Sequence, residues 1–138
     1  MTKTIRLEIG GAIFVAQLNE LEAPQTCNAF TEKLPIKGTV IHARWSGEAV
    51  WFPMGNVGIN VPFENHTSHP SRGDLLYYPG GISEKELLMS YGSAIFSSKV
   101  GQLQGNHFAT IIKGVEKLPE IGRRVLWEGA KPITVSQG

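Results

Sequence analysis

The side chains with chemical potential fall in a few short stretches. In "ARWSGEAVWF", residues 43–52, Arg44 and Trp51 flank Ser46-Gly47, a dipeptide of the kind that turns a β-hairpin. A two-residue turn there pairs Arg44 with Ala49 and His42 with Trp51. It places His42, Arg44 and Trp51 on one face, and Ile41, Ala43, Val50 and Phe52 on the other. A guanidinium held on a strand offers a planar fork of donors to a carboxylate or a polarised carbonyl. The competing reading is a surface arginine stacked on Trp45 or Trp51.

Glu128 follows Trp127 and precedes Gly129. A carboxylate beside an aromatic ring can be desolvated, raised in pKa and used as a general base; it can equally cap a loop or pair with a lysine. Asn106 and His107 open the apolar segment "NHFATII". The amide suits a substrate carbonyl and the imidazole suits proton movement near neutral pH. Alternation sets the two on opposite faces, with Asn106 on the face of Phe108; the alternative for Asn106 is a bond to its own backbone at a strand entry. Tyr78, in "YYPGG", can present its hydroxyl to a ligand or sit at a rim with its tip in water.

Other features carry less. His66 and His69, three apart, share a face only on a helix, and "ENHTSHPSRG" reads as a loop with no third ligand, so no metal is expected. The single cysteine, Cys27, excludes an internal disulfide and reads as a small buried hydrophobe. No Gly-x-Ser-x-Gly elbow is present, and Gly80-Gly81 lacks the Lys-Ser/Thr of a phosphate loop, so no organic cofactor is expected either. The sequon Asn65-His66-Thr67 reads as chance.

The chain has 138 residues, 41% hydrophobic and 18% charged, with a formal net charge of +1, enough for one domain with a proper core. Arg123-Arg124 is the longest basic cluster, which argues against nucleic acid and anionic membranes as partners. No apolar run reaches the ~20 residues of a membrane helix, and the first residues lack a signal-peptide core, so a cytoplasmic location is expected.

These side chains must be positioned by short elements punctuated by 16 glycines and 8 prolines, a pattern that favours an all-β sheet or barrel. Ile5, Leu7 and Ile9 alternate with polar residues, Gly10-Gly11 turns, and 12–18 returns. Pro24 to Leu34 is a helix, with Cys27, Phe30 and Leu34 in one stripe and Pro35 as its stop. Strands are expected at 39–45, 48–53, 57–61, 74–78, 87–97, 106–112 and 124–128, with a short turn over Ser83–Lys85. Exposed edge strands and the aromatic content suggest a homo-oligomer.

"EAPQTCNAF", residues 22–30, resembles the first helix of cyclophilins, which follows a hairpin and precedes the strand carrying the catalytic arginine. The whole chain resembles a bacterial domain family of unknown function with a cyclophilin-like fold. The resemblance rests on "ARWSGEAVWFP", "GDLLYYPGGISEKELLMSYG", "GNHFATIIKG" and "VLWEGAKPI". It implies a mainly β protein: a closed or nearly closed barrel of about eight strands, with one or two short helices capping its ends. It also implies that the Arg44 strand faces a ligand groove. The Phe-x-Gln-Gly-Gly and Gly-Ser-Gln-Phe-Phe stretches of prolyl isomerases are absent.

The expected function is binding of a small carboxylate or amide metabolite in bacterial catabolism. Arg44 and Glu128 would be its chemical groups and Trp51, Tyr78 and Asn106 its lining. Two alternatives stand beside it: a peptidyl-prolyl isomerase, and a non-catalytic partner subunit of an amide-cleaving enzyme.

Overall fold

The computed structural model describes residues 3–138. Alternation of buried and exposed residues sets the first hairpin, β1 (Thr4–Ile9) and β2 (Ala12–Leu18), with Gly10 and Gly11 at φ +54° and +90° in its turn. Helix α1 (Pro24–Lys33) follows, its Pro24 in the first turn and its Cys27 and Phe30 buried, as the sequence stripe predicts; Thr26 is buried as well, and Leu34 lies just past the helix, half-buried. Then come β3 (Ile36–His42), β4 (Gly47–Pro53), β5 (His66–Thr67), β6 (Asp74–Tyr78) and β7 (Glu86–Ala94). The chain ends with β8 (Ser97–Ser98), β9 (Gly101–Gln102), β10 (Gly105–Lys113), a single 3-10 turn at 115–117, α2 (Leu118–Glu128) and β11 (Lys131–Gln137).

The main sheet runs β2-β1-β11-β3-β4-β7-β6-β10, and β10 pairs back onto β2, closing an antiparallel barrel of eight strands with β5 added beside β10. The interior holds Leu7, Phe14, Val50, Phe52, Tyr77, Met89 and Phe108, among others. Phe30 of α1 stacks on Phe108 at 4.3 Å between ring centroids and meets Tyr77 edge-on at 5.3 Å.

Three sequence expectations are corrected. Residues 124–128 are the last turns of α2, not a strand. Leu118, Ile121 and Val125 form a buried helical stripe, while the apolar run Val125-Leu126-Trp127 mimics a strand when read without the residues before it. The helix lies against β3, β4 and β7, with Gly122 over Tyr91, whose hydroxyl pairs with His42 Nε2 at 2.7 Å. Residues 57–61 form no strand; Ile59 is buried there, its carbonyl accepting from the Tyr77 hydroxyl at 2.7 Å.

The third correction concerns the hairpin over 36–53. The turn spans 43–46, because the amides of Ser46 and Gly47 both donate to the carbonyl of Ala43, at 2.9 and 3.2 Å. Register therefore shifts by one residue: Ile41 faces Trp51 and His42 faces Val50. A one-residue slip exchanges the two faces, so Trp51 belongs to the outer face with Ile41 while His42 shares the face of Val50.

Candidate functional site

Residues alternate across the barrel wall, and those pointing outward from β4, β7 and β6 make a second apolar layer. Ala49, Leu76, Tyr78 and Leu88 form its floor, with Trp51 packed against them, and Phe96 and Leu103 cover it from above. Phe96 and Leu103 belong to an arch, residues 94–104, that carries the small β8–β9 hairpin over this outer face. Two serines pin the arch. Ser46 Oγ donates to the Ser97 carbonyl and accepts from the Ser97 amide, both at 3.0 Å. Ser68 Oγ donates to the Leu103 carbonyl at 2.7 Å, and the Phe96 amide donates to the Ser68 carbonyl at 2.8 Å. Ser46 looks like a mere turn residue in the sequence; burial of its side chain under a segment fifty positions away reveals its task.

A cavity of about 220 Å³ opens on one side of the arch, lined by Ala43, Trp45, Trp51, Glu86, Ser97 and Lys99 among others. Glu86 is its chemical centre. The side chain projects from the outer face of β7, opposite Tyr78 and Pro53 on the neighbouring strands, and is 5% exposed. Burial, followed by repulsion from Glu84, pushes its carboxyl up to about 8. The group is thus largely protonated at neutral pH and available as a hydrogen-bond donor.

On the other side of the arch lies a cavity of about 360 Å³, lined by Phe63, His66, Tyr78, Ile82, Leu103 and Gln104 among others. Phe63 stands 5.3 Å from the His66 ring and 6.2 Å from that of Tyr78, and Tyr78 meets Phe96 edge-on at 6.0 Å. The Tyr78 hydroxyl accepts from the Ile82 amide at 3.1 Å, across Gly80 and Gly81 at φ +100° and +136°. Two larger depressions are open shapes without a buried ionisable side chain: about 910 Å³ between 45–46, 70–72 and 92–97, and about 460 Å³ along 17–22.

The residues singled out in the sequence divide accordingly. Trp51 lines the Glu86 cavity and Tyr78 lines its neighbour. Arg44 sits exposed in the 43–46 turn and lines none of these four cavities; with burial, it lowers the pKa of His42. Glu128 is exposed at the end of α2, 2.6 Å from Lys131 Nζ and 3.6 Å from Arg124 Nε. The hydrogen bond from Lys131 is the main cause holding its carboxyl below the ordinary value. The desolvated carboxylate expected at 128 occurs at 86 instead.

Asn106 is fully buried, and its amide is spent on structure. Nδ2 donates to Thr26 Oγ1 at 3.0 Å and to the Pro62 carbonyl at 2.9 Å, while Oδ1 accepts from the Glu64 amide at 3.0 Å. His107 Nε2 lies 3.1 Å from Asp74 and 2.8 Å from Thr110 Oγ1. Burial pushes Asp74 up, but His107, the Ser71 amide and Thr110 together outweigh it and hold the carboxyl below its usual value. Cys27 is an inert thiol, pushed up to about 12 by burial and by Glu20 and Glu64. Among the described residues no group of three or more His, Cys, Asp or Glu side chains could hold a metal ion. No helix is long and apolar enough to cross a membrane.

Sequence could have pointed to Glu86 by one signal: it is the lone acid at an outward position of the strand "ELLMSYGSA", directly across from Tyr78.

A closed eight-stranded barrel with an arch-covered cavity on its outer face defines a cyclophilin-like domain. The chain belongs to the family described as "Protein of unknown function (DUF3830)", which it matches over residues 5–137. No protein of curated function is similar to it in sequence. Among solved structures, McbB in complex with tryptophan superposes with a TM-score of 0.76 at 18% identity, over 96% of this chain but 44% of McbB. The chain thus spans less than half of the McbB length. The hypothetical protein AF2241 from Archaeoglobus fulgidus gives 0.67 at 19% identity, covering 99% of this chain and 95% of its own. The Mimivirus cyclophilin gives 0.60 at 12% identity, covering 99% and 87%.

Proposed function

We propose that this protein binds a small organic carboxylate or amide in the cavity beside Glu86. The observation that carries this reading is a carboxyl group 5% exposed and raised to about 8, in the wall of a cavity with two tryptophans. A protonated carboxyl in an apolar wall donates a hydrogen bond to a carbonyl or carboxylate oxygen, and the bond is stronger when the acceptor is charged. Lys99 supplies a cation at the same cavity and offsets the carboxylate of Glu84, which also lines it, while Ser83, Ser97 and Ser98 supply hydroxyls. Trp45 and Trp51 offer flat surfaces to the ligand's apolar body. McbB, of similar fold, is known in complex with tryptophan, a ligand with a carboxylate. Binding in this form uses neither Arg44 nor Glu128.

The reading is tested by titrating indole-3-acetate, benzoate and their primary amides at pH 6.5, following tryptophan fluorescence. Wild type is expected to bind, Glu86→Leu to weaken binding tenfold or more, and Glu86→Gln, which keeps a donor, to retain it. Carboxylate affinity in wild type is expected to fall above pH 8, where Glu86 ionises and repels the ligand. Undiminished binding by Glu86→Leu, or no binding by any of the four compounds, refutes the reading.

A further inference from the structure

The two arch-side cavities are bounded by successive residues of the same segments. Ser83, Glu84 and Glu86 line the Glu86 cavity and residues 80–82 line the other. Likewise 97–99 line the first and 102–104 the second, so one loop and one hairpin bound both. Across the floor, Glu86 and Tyr78 are direct cross-strand partners, which sets their Cα atoms about 5 Å apart. The cavity of about 220 Å³ is small for a complete ligand site, whereas with its neighbour of about 360 Å³ it enters the usual range of roughly 300–1,000 Å³.

The two ends differ in chemistry. Around Glu86 stand Lys99, Glu84 and serine hydroxyls. Around Tyr78 stand the Phe63 and His66 rings and the side chain of Ile82, with no carboxylate and no lysine or arginine in the lining. Phe63 and Ile82 are 46% and 69% exposed and form an apolar lip. Phe63 already touches the His66 and Tyr78 rings, and its exposed side suits a planar aromatic group laid against it. A cation would find no counter-charge.

We infer that the two cavities form one bipartite site for a molecule in which an aromatic ring is joined by a short amide-length linker to a carboxylate. The ring lies against the exposed side of Phe63, beside His66 and Tyr78, and the carboxylate accepts a hydrogen bond from the Glu86 carboxyl and faces the Lys99 charge. This rests on the Glu86 reading above and adds a second chamber and a ligand class to it. The linker passes between residues 82–83 and the β8–β9 hairpin, where the flanking serines and Gln102 can meet its amide.

N-benzoylglycine, N-acetylglycine and benzoate separate the possibilities, measured by isothermal titration at pH 6.5. N-benzoylglycine is expected to bind at least tenfold more tightly than either fragment. Phe63→Ala, at a half-exposed position outside the core, is expected to abolish that gain and leave the dissociation constant for N-acetylglycine unchanged. Equal affinities for N-benzoylglycine and N-acetylglycine overturn the second chamber while leaving the Glu86 site standing. An N-benzoylglycine affinity indifferent to Phe63→Ala likewise overturns it. No binding by any of the three overturns both. Amide exchange or crosspeak shifts at 63–66 and 97–104 in labelled protein, present with N-benzoylglycine and limited to 97–99 with N-acetylglycine, are the expected footprint.

Discussion

Glu86 makes the fold itself depend on pH, independently of any ligand. Its carboxyl stands at about 8 in the native chain against 4.5 as its ordinary value. For a group raised on folding, the associated stability is complete below the unfolded value and is lost as pH rises through the native one. At about 1.4 kcal/mol per pH unit, the full loss is about 5 kcal/mol above pH 8, and about 3 kcal/mol has gone by pH 7. Glutamine has nearly the same shape and no charge to bury. Glu86→Gln should therefore match wild type near pH 4.5 and exceed it by about 2–3 kcal/mol at pH 7.5, after allowing for relaxation around the buried group. The assay is urea denaturation of both proteins at pH 4.5, 6, 7.5 and 8.5, compared as differences so that other titrating groups cancel. A difference independent of pH, or a variant less stable than wild type at pH 8.5, refutes the reasoning.

Gly122→Ala should destabilise, although alanine normally improves a helix interior by about 1 kcal/mol, because the new Cβ would lie 2.3 Å from the Tyr91 ring. A net cost of about 2–3 kcal/mol in thermal unfolding is expected, and a neutral or raised melting temperature would contradict it. Ser68→Ala leaves the Leu103 carbonyl without its donor and should cost about 1–2 kcal/mol, with faster amide exchange across 95–103 than elsewhere; uniform exchange would show the arch is not pinned there. Asp74, held below its usual value, lends stability that is present above the unfolded carboxylate range and lost as pH falls through the native value. Asp74→Asn should flatten that acid-side loss and cost about 1–2 kcal/mol at pH 7, read by denaturation at pH 7 and 3.

By itself the sequence determined the local elements whose signal lies within a dozen residues. The Gly10-Gly11 hairpin, the helix from Pro24 and the short apolar runs of β6 and β10 follow from turn chemistry and pattern alone. The resemblance carried by "YPGGISE" and "LWEGA" extended this to the barrel. What pattern could not carry was register and distance. A one-residue shift of register at the 43–46 turn exchanged the faces of the following strand, so Trp51 and Arg44, on one face in expectation, separate. Trp51 and Tyr78 line cavities, whereas Trp127, just as large and apolar in sequence, is 81% exposed, so residue type alone does not sort them. Asn106 has the right type for a ligand amide, but Thr26, Pro62 and Glu64, far away in the chain, occupy it. Glu86 was passed over for the opposite reason. A carboxylate's ionisation depends on the low-dielectric material gathered around it, and that material arrives from β4, β6 and the 94–104 arch only when the barrel has closed.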